Sequence, residues 1–272
     1  MSSVDFVFLD SGTGGIPYLS FLKQQMPSAN CIYVADNANF PYGEKSHEEI
    51  VKAVLTVTQK IVDRFNPKVI VMACNTMSVN SLDVVREAFP EVNFVGTVPA
   101  IKLAASVSSK RRIGLLATNA TVSHPYNQDL KNHFAGDCAM ICRGDPKLIS
   151  FIEHQSFTAT KEEILEAVRP AVDFFRKENC DVIILGCTHF LNLKQSFMEL
   201  GQPDIKIVDS VEGVTKRALS LLKTNGAVKS CNEENKSLLI SKLYITGFTD
   251  KKDEKEYNII CERYKLSFGG LI

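Results

Sequence analysis

Short, unbroken apolar runs alternate along the chain with longer amphipathic stretches. The runs at residues 69–72 and 182–185 are mostly β-branched, and polar residues do not alternate with apolar ones. This pattern is typical of strands buried on both faces of a parallel sheet. Between such runs, apolar residues recur with a helical period, as in the stretch from Glu44 to Phe65. Regular alternation of strand and helix predicts an α/β fold with doubly wound parallel sheets.

The pattern occurs twice. In each half an early strand ends at a hydroxyl residue, Ser11 or Thr118, and a later strand ends at a cysteine, Cys74 or Cys187. We therefore expect two similar doubly wound parallel-sheet lobes related by a pseudo-dyad, with the active site in the cleft between them. The ends of the predicted strands also place both thiols where the ligand crevice of an open α/β sheet lies.

The second repeat sets the predicted lobe boundaries. We expect the first lobe to comprise residues 1–98 plus 211–272, and the second lobe to comprise residues 99–210. The run Leu239–Thr246 is expected to return as a strand of the first lobe.

The amino-acid composition argues against some classes of binding partner. The 272 residues include 31 Lys plus Arg and 31 Asp plus Glu, so no overall charge favours nucleic acid or an anionic membrane. No basic segment followed by an apolar core opens the chain, and no apolar run approaches membrane-spanning length. We expect a cytoplasmic protein that binds neither nucleic acid nor membrane.

Eight cysteines in a chain of this length are too sparse for a disulfide scaffold. The sequence has no Cys-x-x-Cys, and Cys138 and Cys142 have no histidine at zinc-finger spacing, so we expect no metal site. A single cysteine at a strand end is more often a small core residue than a reactive group. Two such cysteines, each followed by hydroxyl, amide or imidazole side chains, favour chemistry. The other six are interpreted as ordinary core or surface residues.

Five motifs occur in the order seen in one enzyme family, the glutamate racemases, which belong to the cofactor-independent aspartate/glutamate racemase group. The chain resembles that family from residue 5 to about 216. The motifs are Asp10-Ser11-Gly-x-Gly-Gly, Pro41-Tyr42-Gly43, Ala73-Cys74-Asn75-Thr76, Gly96-x-x-Pro99-Ala100 and Gly186-Cys187-Thr188-His189.

The resemblance implies racemisation of L-glutamate and D-glutamate by two cysteines, without a cofactor, to supply D-glutamate for peptidoglycan. Inversion at Cα requires one group to remove a proton from one face and a similar group to deliver a proton to the other. By resemblance, Cys74 acts on the D-enantiomer and Cys187 on the L-enantiomer. Asp10 is expected to assist the first cysteine and His189 the second, with Glu153 as a further acidic catalytic residue.

The resemblance also implies a set of substrate-binding residues and a homodimer. The expected ligands of the glutamate carboxylates and ammonium supply hydroxyls, amides, charged groups and backbone N–H groups; they are Asp10, Ser11, Pro41, Tyr42, Gly43, Asn75, Thr76, Thr118, Thr188 and His189.

Three other functions remain open from the residues alone. An aspartate racemase or another member of the same superfamily would share the chemistry and differ in substrate. A non-catalytic two-lobe protein that binds a dicarboxylate would have no need of a thiol in each lobe. A thiol-based redox sensor would form a reversible Cys74–Cys187 disulfide without turnover.

Overall fold

The computed structural model describes residues 4–224, 240–248 and 251–272. These residues form two compact units. Unit 1 is drawn from Met1–Tyr42, Ser46–Thr97 and Val211–Ile272, and unit 2 from Gly43–Lys45 and Val98–Ser210.

Unit 1 contains a six-stranded sheet in which every pairing is parallel. With strands numbered in chain order, its members are β1 (Phe6–Asp10), β2 (Cys31–Ala35), β3 (Val69–Met72), β4 (Asn93–Gly96), β9 (Lys242–Ile245) and β10 (Ser267–Leu271). Their order across the sheet is β10-β9-β2-β1-β3-β4. All residues of β1 and β3 are buried, as expected for unbroken apolar runs covered on both faces.

The helices of unit 1 are α1 (Ile16–Gln25), α2 (His47–Phe65), α3 (Asn75–Ala88), α10 (Val211–Thr224) and α11 (Lys251–Tyr264). Helix α2 starts at a capping box: the Ser46 side chain accepts a hydrogen bond from the Glu49 N–H, and the Glu49 carboxylate accepts one from the Ser46 N–H. Ile50, Val54 and Ile61 of this helix are buried in the unit 1 core, which accounts for the helical period in the sequence.

Unit 2 contains a four-stranded parallel sheet in the order β6-β5-β7-β8. The strands are β5 (Arg112–Ala117), β6 (Ala139–Gly144), β7 (Val182–Leu185) and β8 (Lys206–Val208). The helices are α4 (Ile101–Val107), α5 (Asn119–Ser123), α6 (Pro125–Phe134), α7 (Pro146–His154), α8 (Lys161–Lys177) and α9 (Lys194–Gly201).

The predicted α/β class with two parallel sheets is confirmed. Of the strand expected over Leu239–Thr246, Leu239 lies outside the described residues, and Lys242–Ile245 form β9, which pairs with β2. The sequence pattern did not predict helices α5, α7, α9 and α11 or strand β10. In the part of the chain that the structure describes, no helix has both the length and the apolar character needed to cross a bilayer.

Candidate active site

In unit 1 three strands end side by side at one edge of the sheet. Asp10 at the end of β1 is paired with Ala35 at the end of β2, and Leu9 is paired with Met72 of β3. Beyond these ends, the N–H of Asp36 donates to the carbonyl of Asp10 at 2.8 Å. Parallel strands therefore place the residues that follow them in one cluster, as expected for the ligand edge of an α/β sheet.

The first candidate thiol, Cys74, lies at this edge and is 6% exposed. It follows β3 by two residues and is the N-terminal flanking residue of α3. Its Sγ lies 4.0 Å from Oγ of Ser11. The Ser11 hydroxyl also lies 3.3 Å from Oδ1 of Asp10, which accepts the Gly12 N–H at 3.1 Å. The structure thus brings Asp10, Ser11 and Cys74 together.

The loop after β1 is held by contacts that the sequence analysis missed. The buried hydroxyl of Tyr33 accepts the Gly15 N–H at 3.0 Å and donates to the Gly12 carbonyl at 2.9 Å. A Cβ at Gly15 would lie 2.7 Å from Oδ2 of Asp10 and 2.8 Å from the carbonyl oxygen of Ala73. Glycine is therefore required where this loop passes between the Asp10 carboxylate and the Cys74 strand.

Asn75 and Thr76, both predicted to bind substrate, form the first turn of α3 and are buried. Oδ1 of Asn75 accepts no hydrogen bond from the described residues. The Thr76 carbonyl accepts from Nδ2 of Asn80 at 2.7 Å, which fixes this turn of the helix. A buried amide oxygen without a partner at the edge of the sheet is available to a ligand.

The Pro41-Tyr42-Gly43 motif lies in the loop after β2. Tyr42 is 1% exposed, and its hydroxyl donates to Oδ2 of Asp36. Burial raises the pKa of Tyr42, and the adjacent Asp36 carboxylate raises it further. The Tyr42 hydroxyl is thus a neutral donor that is already bound to Asp36. That the Pro41-Tyr42-Gly43 segment contacts the substrate, through its backbone, stays a prediction. The sequence marks Asp36 in the same way as Asp10, since each is the first charged residue after a buried apolar run, Cys31–Ala35 and residues 6–9 respectively.

In unit 2 the second candidate thiol follows β7 in the same way. Cys187 is 6% exposed and precedes a 3-10 helix over Thr188–Leu193. Its Sγ lies 3.6 Å from Nδ1 of His189, and Nε2 of His189 lies 2.9 Å from Oε2 of Glu153 on α7. Both His189 and Glu153 are buried. The structure therefore places these three predicted residues in one hydrogen-bonded chain.

The imidazole of His189 holds its proton strongly. Burial alone would lower its pKa, but the hydrogen bonds to Cys187 and Glu153 outweigh it and raise the pKa well above its usual value. A carboxylate on one ring nitrogen and a thiol on the other favour the imidazolium.

The two predicted threonines of unit 2 are also buried at strand ends. Thr118 follows β5, and its Oγ1 accepts the Thr121 N–H at 3.0 Å at the start of α5. Thr188 directly follows Cys187 and is 1% exposed. Gly43, which is grouped with unit 2, is close to Thr118, since a Cβ at Gly43 would lie 2.8 Å from the Thr118 Cβ.

The remaining described cysteines differ from the two candidates in their surroundings. Burial raises the pKa of Cys31 to about 12 and that of Cys180 and Cys261 to about 11, so these thiols stay protonated near neutral pH. Cys231 lies outside the described residues. Within residues 4–224, 240–248 and 251–272, no group of three or more His, Cys, Asp or Glu side chains is arranged to hold a metal ion.

Comparison with known sequences identifies related proteins along most of the chain. The model of the Asp/Glu/Hydantoin racemase family matches residues 20–218. The chain is 36% identical to the glutamate racemase of Treponema pallidum over 267 residues, which cover 98% of this chain and 96% of that protein. It is 38% identical to the glutamate racemase of Sphingopyxis alaskensis over 217 residues, covering 79% and 81% of the two chains.

A solved structure gives the same result at the level of the fold. The crystal structure of Escherichia coli glutamate racemase in complex with L-glutamate and the activator UDP-MurNAc-Ala is similar to this chain with a TM-score of 0.81. The two sequences are 30% identical, and the match covers 98% of this chain and 97% of the other.

Proposed function

The chain belongs to the Asp/Glu/Hydantoin racemase family, and from this premise we propose that it interconverts L-glutamate and D-glutamate by proton transfer at Cα. The observation that carries the proposal is a pair of buried thiols, Cys74 and Cys187, each two residues beyond a buried strand and each with its own buried polar partners. The relatives named above are glutamate racemases, which supports glutamate as the substrate.

The reaction needs one base and one acid of similar strength. A thiolate on one face takes the Cα proton, and a thiol on the other face delivers a proton to the resulting carbanion. The two cysteines exchange roles when the direction reverses, because the reverse reaction follows the same steps in the opposite order. Their strengths should be similar because the two enantiomers are equal in energy in water. By family resemblance, Cys74 deprotonates D-glutamate and Cys187 deprotonates L-glutamate.

The polar partners prepare each thiol. On the Cys187 side, the His189 imidazolium stabilises the thiolate, and Glu153 keeps the imidazole protonated and oriented. On the Cys74 side, the N-terminus of α3 favours the thiolate, and the Ser11 hydroxyl lies within hydrogen-bonding distance of the sulfur. Asp10 orients Ser11 and is available to the substrate ammonium.

Substrate binding uses the groups that surround the two thiols. We assign the glutamate carboxylates and ammonium to hydroxyls, to backbone N–H groups at strand ends and to the amide oxygen of Asn75, which has no hydrogen-bond partner among the described residues. The assigned residues are Asp10, Ser11, Pro41, Tyr42, Gly43, Asn75, Thr76, Thr118, Thr188 and His189.

The cellular role follows from the product. D-glutamate is a component of peptidoglycan, so the proposed role is to supply it for cell-wall synthesis in the cytoplasm. As in the family it resembles, the enzyme is proposed to work as a homodimer and without a cofactor.

The experiment that tests this function is racemisation in deuterated water, followed by circular dichroism and mass spectrometry. Starting from L-glutamate, the D-glutamate formed should carry deuterium at Cα, whereas the L-glutamate recovered at low conversion should remain protiated. This asymmetry is expected because separate thiols serve the two faces. Cys74→Ser and Cys187→Ser should each lower kcat by about 10³-fold or more.

Cys180→Ser is the matched control. Cys180 is buried and lies just before β7, at the opposite end of the strand from Cys187, so its variant should keep the wild-type kcat. Deuterium in both enantiomers at low conversion would contradict the two-thiol mechanism. Faster turnover of aspartate than of glutamate would contradict the substrate, and tight binding of glutamate without turnover would indicate a receptor. A reversible Cys74–Cys187 disulfide without turnover would indicate a redox sensor.

A further inference from the structure

A buried carboxylate in unit 1, Asp36, is not used by the proposed chemistry. It is 1% exposed and receives three side-chain donors. The Tyr42 hydroxyl donates to Oδ2, Nδ2 of Asn39 lies 3.1 Å from both oxygens, and the Thr246 hydroxyl donates to Oδ1 at 2.7 Å. Two of these donors lie in the loop after β2, and the third lies 210 residues away, directly after β9.

The segment after β9 is bound to the same loop by a second side chain, Asn37. Its Oδ1 accepts the N–H groups of Thr246 and Gly247, each at 3.1 Å, and its Nδ2 donates to the Gly247 carbonyl at 2.7 Å. In return, Oγ1 of Thr246 accepts the Ala38 N–H at 3.1 Å. Residues 36–38 and residues 246–247 are thus joined by reciprocal hydrogen bonds. A side chain of each segment binds the backbone of the other.

The loop after β2 ends close to the residues around Cys74. It runs from Asp36 to Tyr42, and the Tyr42 ring packs in the same buried core as Met72 and Cys74. The Asp36 N–H donates to the carbonyl of Asp10, so the loop also starts beside a predicted catalytic residue. The first residue of the loop thus contacts Asp10, and the last lies in the core that contains Cys74.

We propose that Asp36 is a positioning residue through which Thr246, directly after β9, fixes the loop that presents Tyr42 and Gly43 to the substrate. This inference rests on the proposed function, since it assigns the loop to glutamate binding. It gives the C-terminal strand of unit 1 a role in the reaction, although Thr246 itself need not contact substrate. Asp36 and Thr246 act through Tyr42 and are not catalytic residues.

The test removes one hydroxyl. In Thr246→Val the shape is kept, but the bonds to Asp36 and Ala38 are lost, and we expect KM for glutamate to rise about tenfold with a smaller change in kcat. Thr246→Ser keeps the hydroxyl and should restore KM. Amide hydrogen exchange, followed by mass spectrometry on the unliganded protein, should be faster over residues 37–43 in Thr246→Val than in wild type.

Thr58→Val is the matched control for loss of a buried threonine hydroxyl. Thr58 is fully buried on α2, and its Oγ1 has no hydrogen-bond partner within the described residues, so this variant should keep wild-type KM and exchange. Wild-type KM and wild-type loop exchange in Thr246→Val would overturn the proposal while leaving racemisation intact. A wild-type protein that does not racemise glutamate would overturn the proposed function instead. The exchange data would then still decide whether Thr246 holds the loop.

Discussion

The two cysteine clusters have the same position in their sheets but different partners. Cys74 and Cys187 each lie two residues beyond a buried strand, at the start of a helical segment. The first sulfur lies 4.0 Å from a hydroxyl, that of Ser11, whereas the second lies 3.6 Å from the imidazole of His189. The repeated fold therefore fixes where each thiol is placed, and the residues around it determine which polar groups each sulfur contacts.

Because of this difference, the Cys74 cluster and the Cys187 cluster should respond to different kinds of substitution. The Cys74 cluster depends on close packing of small residues around Asp10, so changes of shape should be most damaging there. The Cys187 cluster depends on a proton held between His189 and Glu153, so changes of charge and of pH should be most visible there.

Among changes to the residues around the two thiols, the largest effect is expected from Gly15→Ala in the first cluster. The added Cβ would lie 2.7 Å from Oδ2 of Asp10 and 2.8 Å from the Ala73 carbonyl, so the carboxylate or the backbone before Cys74 must move. Overpacking of this kind costs about 1–3 kcal/mol in the free energy of unfolding. Misplacement of a reacting group by about 1 Å lowers activity by about 10²-fold. We expect a loss of that order in kcat/KM, measured by circular dichroism with either enantiomer.

Gly213→Ala on α10 provides the control for this change. A Cβ at Gly213 would meet nothing within 4 Å, and alanine is the better helix former by up to about 1 kcal/mol. This variant should keep wild-type kcat/KM and have an equal or higher Tm. A Gly15→Ala enzyme with wild-type kcat/KM would show that Asp10 does not need its observed position.

A smaller effect, with a distinct pH signature, is expected from Glu153→Gln in the second cluster. The amide retains the shape and an oxygen acceptor for His189 but removes the negative charge, so the raised pKa of His189 should fall toward its usual value. The imidazolium exists below this pKa, and the alkaline limb of kcat/KM should therefore move to lower pH. At neutral pH we expect a loss of about tenfold, as for a weakened hydrogen bond between charged groups.

The matched control is Glu162→Gln, which removes the same charge from an exposed position in the first turn of α8. Its pH profile should superimpose on that of the wild type. An unshifted alkaline limb in Glu153→Gln would mean that His189 does not set the high-pH limit.

The comparison also shows what the sequence can predict. Both thiols could be placed because the apolar runs before them define β3 and β7, and parallel strands present their carboxyl ends at one edge of the sheet. The partner of His189 could not be derived in this way. Glu153 lies 36 residues earlier, on a short helix that the apolar pattern did not predict, and the pairing depends on tertiary packing.

The C-terminal part of unit 1 was predictable only in part, for a related reason. Strand β9 has a buried apolar run, whereas β10 contains Gly269 and Gly270, which weaken a strand signal, and α11 is strongly polar. The bond between Asp36 and Thr246 joins residues 210 apart, and local periodicity carries no information about such a contact.

The smallest effect on activity is expected at the other end of β7, where Asp181 precedes the strand. Its carboxylate accepts hydrogen bonds from the Ser108 hydroxyl at 2.6 Å, the Ser109 N–H at 2.6 Å and the Lys110 N–H at 2.8 Å. Burial alone would raise the pKa of Asp181, but these donors outweigh it and lower the pKa. Asp181→Asn should reduce the free energy of unfolding by about 2 kcal/mol at neutral pH, with kcat unchanged.

The pH dependence of the lost unfolding free energy shows whether the loss comes from the charge of Asp181 or from altered packing. Because the folded-state pKa of Asp181 is lowered, its stabilisation is fully present above the unfolded-state value of about 3.9 and disappears as the pH falls through the folded-state pKa. Urea unfolding of wild type and Asp181→Asn should therefore converge at acidic pH, while the exposed control Asp173→Asn should follow wild type within about 0.5 kcal/mol throughout. A difference independent of pH would mean that the asparagine disturbs packing. A reduced kcat would mean that the two ends of β7 are coupled, and that the Cys187 cluster depends on the whole strand rather than on its carboxyl end alone.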